Sequence, residues 1–391
     1  MAENVNFSVL KSLVPTSSRN IEWEEIENCA LNSILKEMSQ TMQNPEYHAE
    51  GDVLAHTKMV CEKLVMDEEY QRLSNDDKTV VFIATLLHDI GKTRCTKLID
   101  GKLSSPHHSR VGSVMARQIL WQTFGLAGTK ENQNLRESIC NLIRYHSFPP
   151  YAMEAKDPER RILKIASNGE LASGFSIRKL CMLERADVLG RKSKDTNSHL
   201  NKVEYCRMLA EDLSVLDKPY HFASNFSRRA YFLGKTDWRD AEMYNGNFGE
   251  VILMSGLPAS GKDYWIEKNV PDMPMISLDE IRRKNKISPT ENQTQVYLEA
   301  KEKAKEYLRK KVPFVWNATN IIPDTRNKQI SLFEEYHASV KTVFLETSWD
   351  DGLSRNKERQ HKVPENVIEK MLSKLELPEC YESESVVWET N

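Results

Sequence analysis

From about Ile21 to Leu189, apolar residues recur at three- and four-residue spacing. That spacing turns one face of a helix toward a core, and it predicts helices over Trp23–Met38, Val53–Val65, Thr79–Asp89, Val111–Phe124 and Leu135–Arg144. Runs of β-branched residues are almost absent, so residues 21–190 read as an all-α helix bundle. The pattern changes at Glu250. VILMSG, PMISLD, PFVWNAT and VKTVFLET are short apolar runs of strand type, separated by charged helical stretches such as Gln295–Lys311 and Thr325–Tyr336. Strands alternating with helices predict an α/β domain built on a parallel sheet, assigned to residues 247–380. Between the two, residues 191–246 form a polar stretch with aromatic punctuation (YHF, RRAYFLG, DWRDAEMYNGN), read as a helical connector. The connector and the last stretch of roughly 20 residues carry no motif.

A length of 391 residues allows two or three such domains, each with its own core. The longest apolar runs fall well short of the roughly 20 residues of a membrane span. No basic segment followed by an apolar stretch opens the sequence, and a cytoplasmic location is expected. Seven scattered cysteines without a C-x-x-C pair argue against a disulfide framework and a thiolate zinc site. A net charge of −3 excludes a globally basic nucleic-acid binder. Contact with nucleic acid would fall to local patches at Arg160-Arg161, Arg191 to Lys194, Arg228-Arg229 and Arg282 to Lys286.

Two constellations carry chemistry. The doublet His88-Asp89 ends an apolar helix in LLHDIGK, with His56 upstream in VLAHTKMV, and His108, His146 and Asp187 downstream in HHSRVGS, LIRYHSFPP and ERADVLGR. Imidazole and carboxylate are the ligands of hydrolytic metal centres, and a bundle directs such side chains inward from facing helices. Manganese, cobalt, nickel, iron and zinc all suit this donor set. Lys92, one turn beyond the doublet, is placed to reach a substrate phosphate. His48, Asp52 and His107 are weaker candidates.

The second constellation is Gly256-Leu257-Pro258-Ala259-Ser260-Gly261-Lys262, which follows a strand and precedes a helix. Backbone N–H groups of such a loop cradle phosphate oxygens while Lys262 reaches the β- and γ-phosphates. Asp263 stands where a hydroxyl residue usually binds Mg²⁺, a role a carboxylate can take. Asp279 at a strand end can accept the proton of an attacking hydroxyl, and Arg282 can grip a neighbouring phosphate. Arg355 and Arg359, four apart on one predicted helical face, suit a lid over a triphosphate.

The order H…HD…D over His56, His88-Asp89 and Asp187 resembles the HD phosphohydrolase superfamily. The resemblance implies one metal held by His56, His88, Asp89 and Asp187. It implies a second held by His108, His146 and a bridging Asp89. The loop, Asp-x-x-Arg, Arg-x-x-x-Arg, and WNATN with PDTR (Trp316–Asn320, Pro323–Arg326) resemble the polynucleotide 5′-kinase branch of P-loop phosphotransferases. In that branch Asp279 would be the general base for a 5′-hydroxyl, with Arg355 and Arg359 on the donor. Together the halves resemble bacterial HD-domain–polynucleotide kinase fusions, which implies an enzyme that heals RNA or DNA ends. Its substrates would be 2′,3′-cyclic phosphate or 2′/3′-phosphate ends and 5′-hydroxyl ends. Its cofactors would be two transition metals, Mg²⁺ and ATP or another nucleoside triphosphate, with an RNA ligase downstream and no membrane partner. Two other readings stay open on the residues alone: a nucleotide hydrolase fused to a small-molecule kinase, and a nucleotide-binding regulatory module.

Overall fold

The computed structural model describes residues 5–17, 19–287 and 293–391. These form two compact units. One takes the described residues up to Ala127 with Glu131–Tyr220; the other takes Gly128–Lys130 with His221–Asn391.

The first unit is helical. At its centre lies the helix Asn75–Leu87, capped by the Ser74 hydroxyl on the Asp77 N–H and buried at every position from Lys78 to Leu87. A helix apolar on all sides belongs in the middle of a bundle, which explains the unbroken VVFIATLL run. It packs against Val53–Met66, which also contacts Ile177–Leu189. Asp52 and Ser176 cap those two helices with their side chains. The expected helix over Trp23–Met38 is two helices, Trp23–Asn28 and Asn32–Ser39, because Cys29 takes an extended conformation between them.

One hairpin breaks the all-helical expectation: β1 (Lys97–Ile99) pairs antiparallel with β2 (Lys102–Ser104). Asp100 and Gly101 turn it with φ of 50° and 76°. An Asp-Gly pair at positive φ is the turn that matches strand twist, so the sequence held that signal. The stretch 191–246 divides between the two units. Thr196–Asp212 packs on Ile177–Leu189 in the first unit, and Asn225–Phe232 belongs to the second.

The second unit holds a five-stranded sheet with order β4-β5-β3-β6-β7, made of Glu250–Ser255 (β3), Met275–Ser277 (β4), Phe314–Asn317 (β5), Ser339–Glu346 (β6) and Ser385–Thr390 (β7). Every pairing is parallel. Both faces are covered: Val251 and Leu253 join a core with Phe314 and Trp316, while Ile252 and Met254 join another with Ile266 and Leu345. Burial on both faces is why parallel strands read as continuous apolar runs. β7 lies beyond the expected boundary at 380. It was missed because an edge strand of this kind alternates, with Val386 and Trp388 buried between partly exposed neighbours.

PDTR proves structural. Arg326 is fully buried and makes a bidentate pair with Glu382, Nε to Oε2 at 2.6 Å and Nη2 to Oε1 at 2.8 Å. Its Nη1 donates to the carbonyls of Asn320 at 3.0 Å and Glu376 at 2.9 Å. Removing one partner strands a buried charge, so Arg326→Ala is expected to destabilise this unit by about 3–5 kcal/mol. Denaturant titration of the Arg326→Ala, Glu382→Ala and double variants checks it: the double variant should lose less than the sum of the singles.

Candidate metal centre and phosphate-binding site

The buried central helix ends at Leu87, so the next two residues, His88 and Asp89, are buried as well. The turn that follows presses on the start of the helix His108–Gln122. A Cβ on Gly91 would lie 2.0 Å from the His108 carbonyl oxygen and 2.6 Å from the Gly112 nitrogen. Only glycine permits that approach, and it brings His108 to the doublet.

The six expected ligands converge. One group is His56, His88 and Asp187, another Asp89, His108 and His146, each with its ligand atoms within 4.8 Å of one another. Asp89 faces both. Its Oδ1 lies 3.4 Å from His108 Nε2 and 3.8 Å from His146 Nε2. Its Oδ2 lies 3.2 Å from His88 Nε2 and 3.7 Å from His56 Nε2. Asp187 Oδ1 meets His56 Nε2 at 2.9 Å.

The tautomers are set by the backbone. His88 Nδ1 is 2.7 Å from the Thr85 carbonyl, His108 Nδ1 2.8 Å from that of Ser105, and His146 Nδ1 2.7 Å from that of Ile143. An N–H donated there leaves each Nε2 lone pair pointing inward. Buried His88 Nε2 and Asp89 Oδ1 have no hydrogen-bond partner. Orphaned buried acceptors are costly, and bound cations are what this donor set fits.

Electrostatics favour the ligating forms of His146 and Asp89, whereas at His56 burial is outweighed by Asp187 and Glu50, which raise the imidazole above its ordinary value. Burial, together with His88 and His108, pushes His146 down to about 3, so it is neutral near pH 7. Burial opposes ionisation of Asp89, but Lys92 and His88 hold it well below the usual carboxylate range. Lys92 Nζ sits 2.7 Å from Asp89 Oδ2 and donates to Gln43 Oε1 at 2.7 Å. Burial and neighbouring Asp187 hold the Glu184 carboxyl well above its ordinary range.

Three supporting residues carried no motif signal. Glu50 Oε1 lies 2.9 Å from both His48 Nδ1 and His56 Nδ1, while its Oε2 accepts from the Lys192 N–H at 3.0 Å. Arg191, counted in a basic patch, is ion-paired with Asp187. Gln43 anchors Lys92. A cavity of about 940 Å³ opens onto Asp89, Lys92, His108, His146 and Asp187.

In the second unit the phosphate loop follows β3, the middle strand, whose neighbours β5 and β6 lead the chain to opposite sides. That switch point is where open α/β sheets bind ligands. Gly256 has φ of 144°, and a Cβ there would lie 2.4 Å from the Leu345 carbonyl oxygen. Lys262 Nζ turns into the loop, donating to the carbonyls of Gly256 at 3.0 Å and Leu257 at 2.7 Å. Its pKa is pushed down to about 8, first by burial; Asp263 and Asp279 oppose this and Arg359 adds to it. Three expected site residues therefore lie within electrostatic reach of this ammonium. Asp263 Oδ1 accepts from the buried Asn317 amide at 2.6 Å, which fixes the carboxylate beside the loop. Arg282 is ion-paired with Asp279 one turn along the helix Leu278–Lys284.

The two lid arginines do not share a helical face. The helix Trp349–Glu358 ends before Arg359, which is its extended C-cap at φ −67° and ψ 144°. Arg355 reaches over the loop instead and donates to the Asn391 main-chain oxygen at 3.3 Å. The basic pair Arg228-Arg229 is also absorbed, on the Cys380 carbonyl and Glu334.

Comparison with known families gives two matches. The HD domain family matches residues 53–168, spanning five of the six candidate ligands and stopping before Asp187, which the fold places beside His56 and His88. The AAA domain family matches residues 251–378, spanning the loop, Asp279, Arg282, Arg355 and Arg359. The chain joins an HD domain to a P-loop, kinase-like domain, the organisation of a fused hydrolase and kinase. Among the described residues, no helix is long and apolar enough to cross a membrane.

Proposed function

We propose that the chain heals both ends of a broken polynucleotide. The HD domain opens a 2',3'-cyclic phosphate and removes the resulting phosphate; the P-loop domain phosphorylates the 5'-hydroxyl end. The observation that carries the first half is Asp89, whose two oxygens face different ligand groups. Two divalent ions held there would supply Lewis acidity toward the phosphoester and toward a water near neutral pH. His56, His88 and Asp187 would hold one ion, His108 and His146 the other, with Asp89 shared. Lys92 sits at the same carboxylate, where its ammonium can hold a substrate phosphate. Ring opening adds water across one P–O bond and leaves the freed sugar oxygen protonated.

For the kinase, the loop N–H groups and Lys262 hold the donor phosphates, and Asp263 holds Mg²⁺. Asp279 takes the proton of the 5′-hydroxyl, and Arg282 grips the adjoining phosphate. Arg355 and Arg359 neutralise charge on the transferring group. Both products are the ends an RNA ligase joins. The test is an RNA bearing a 5′-hydroxyl and a 2′,3′-cyclic phosphate, incubated with γ-labelled ATP and a series of divalent metals. Label at the 5′ end and a free 3′-terminal diol are expected. An RNA recovered unchanged at both ends with every metal sinks the proposal.

A further inference from the structure

Around the HD cavity, two tyrosines lack the burial expected of large aromatic side chains. Tyr47 is 48% exposed and Tyr151 51% exposed, yet both line the cavity that contains the metal ligands. They come from separate segments, Tyr47 from the loop before the helix Val53–Met66 and Tyr151 from the 3₁₀ turn Pro149–Glu154. Each has a lysine beside it. Lys202 Nζ lies 5.7 Å from the centre of the Tyr151 ring, and Lys102, from β2, is paired with Glu46, the residue before Tyr47. Both lysines line the same cavity. Their carboxylate partners, Glu46 and Glu154, each at 2.7 Å, are themselves exposed. Exposed pairs of this kind are weak and exchange readily for another anion.

A half-exposed ring beside a loosely held ammonium, occurring twice on one rim, matches what single-stranded nucleic acid requires. An aromatic face stacks any base, and a neighbouring cation takes the backbone phosphate. A free mononucleotide has one base and no internucleotide phosphate, so it could not use both pairs. We infer that Tyr47 with Lys102 and Tyr151 with Lys202 form a sequence-tolerant binding track for the single-stranded segment leading to the 3′ end at the metal centre. This inference rests on the phosphoesterase reading above and assigns the residues that hold the polynucleotide beside its 3′ end.

The experiment compares Tyr47→Ala, Tyr151→Ala and the double variant in the full chain. Two substrates are used: a mononucleoside 2′,3′-cyclic phosphate, and an oligoribonucleotide ending in the same group. On the oligonucleotide, kcat/KM is expected to fall about 10-fold for each single variant and about 100-fold for the double. On the mononucleotide it should stay within about 3-fold of the parent, since no second base is there to stack. Anisotropy of a labelled single-stranded RNA should show a matching loss of affinity. Restoring the ring with Tyr151→Trp should recover it. Equal losses on both substrates, or no loss on the oligonucleotide, overturn the track. If the parent chain opens neither cyclic phosphate, the phosphoesterase reading falls, and the anisotropy series decides the track alone: unchanged RNA affinity in the double variant rejects it.

Discussion

Asp89→Asn is expected to abolish the phosphoesterase reaction, by about 10³-fold or more, and to leave phosphotransfer to the 5′ end at the parent rate. The asparagine keeps the shape and one acceptor oxygen but loses the charge. It also puts an NH₂ group where one of the two facing oxygens stood. Those oxygens lie 3.2 Å from His88 and 3.4 Å from His108, so no other residue could serve both groups from this position. Metal analysis by mass spectrometry should therefore fall by at least one equivalent per chain. The same substitution frees the Lys92 ammonium from its buried partner, and circular dichroism must be checked for unfolding. A folded Asp89→Asn chain that still opened cyclic phosphates at the parent rate would refute the shared-carboxylate centre.

The candidate ligands of this centre were legible because histidines, rare in this chain, and two aspartates stand in a fixed order, and because apolar helices carry them inward. What orients them was not. Glu50 looks like one of many surface acids in AEGD, yet the fold buries it between His48 and His56. Arg191 reads as part of a basic run, yet its partner is Asp187 four residues back on the helix face. Contacts of this kind depend on which side of a helix end a chain leaves, and spacing alone does not encode that. The same limit explains Arg359. A four-residue interval implies a shared face only while the helix continues, and here it stops at Glu358. The phosphate loop was fully legible, since its glycines answer to local backbone requirements. The buried Asn317 that fixes Asp263 comes from a strand 54 residues away, beyond any local signal.

Asp279→Ala is expected to have the complementary effect: loss of phosphotransfer by about 10²–10⁴-fold, the range for removing a positioned general base, with phosphoesterase activity unchanged. The phosphate loop and Asp279 follow strands that are not neighbours, β3 and β4, with β5 between them. Because every strand runs the same way, both chain segments leave the sheet at the same edge, so Asp279 and the loop open onto one crevice. The Asp279 side chain is 71% exposed, in contrast to Arg326, so its removal leaves no cavity or stranded charge in the core. A loss of rate with unchanged thermal stability would therefore report chemistry rather than folding. Arg282 provides the internal control. Relieved of its carboxylate partner it keeps its charge, so Asp279→Ala should raise kcat loss without weakening RNA binding, whereas Arg282→Ala should act mainly through KM for the polynucleotide. Were Asp279→Ala to leave kcat intact and raise only KM, the carboxylate would be a binding group, and the proton of the 5′-hydroxyl would have to leave by another route.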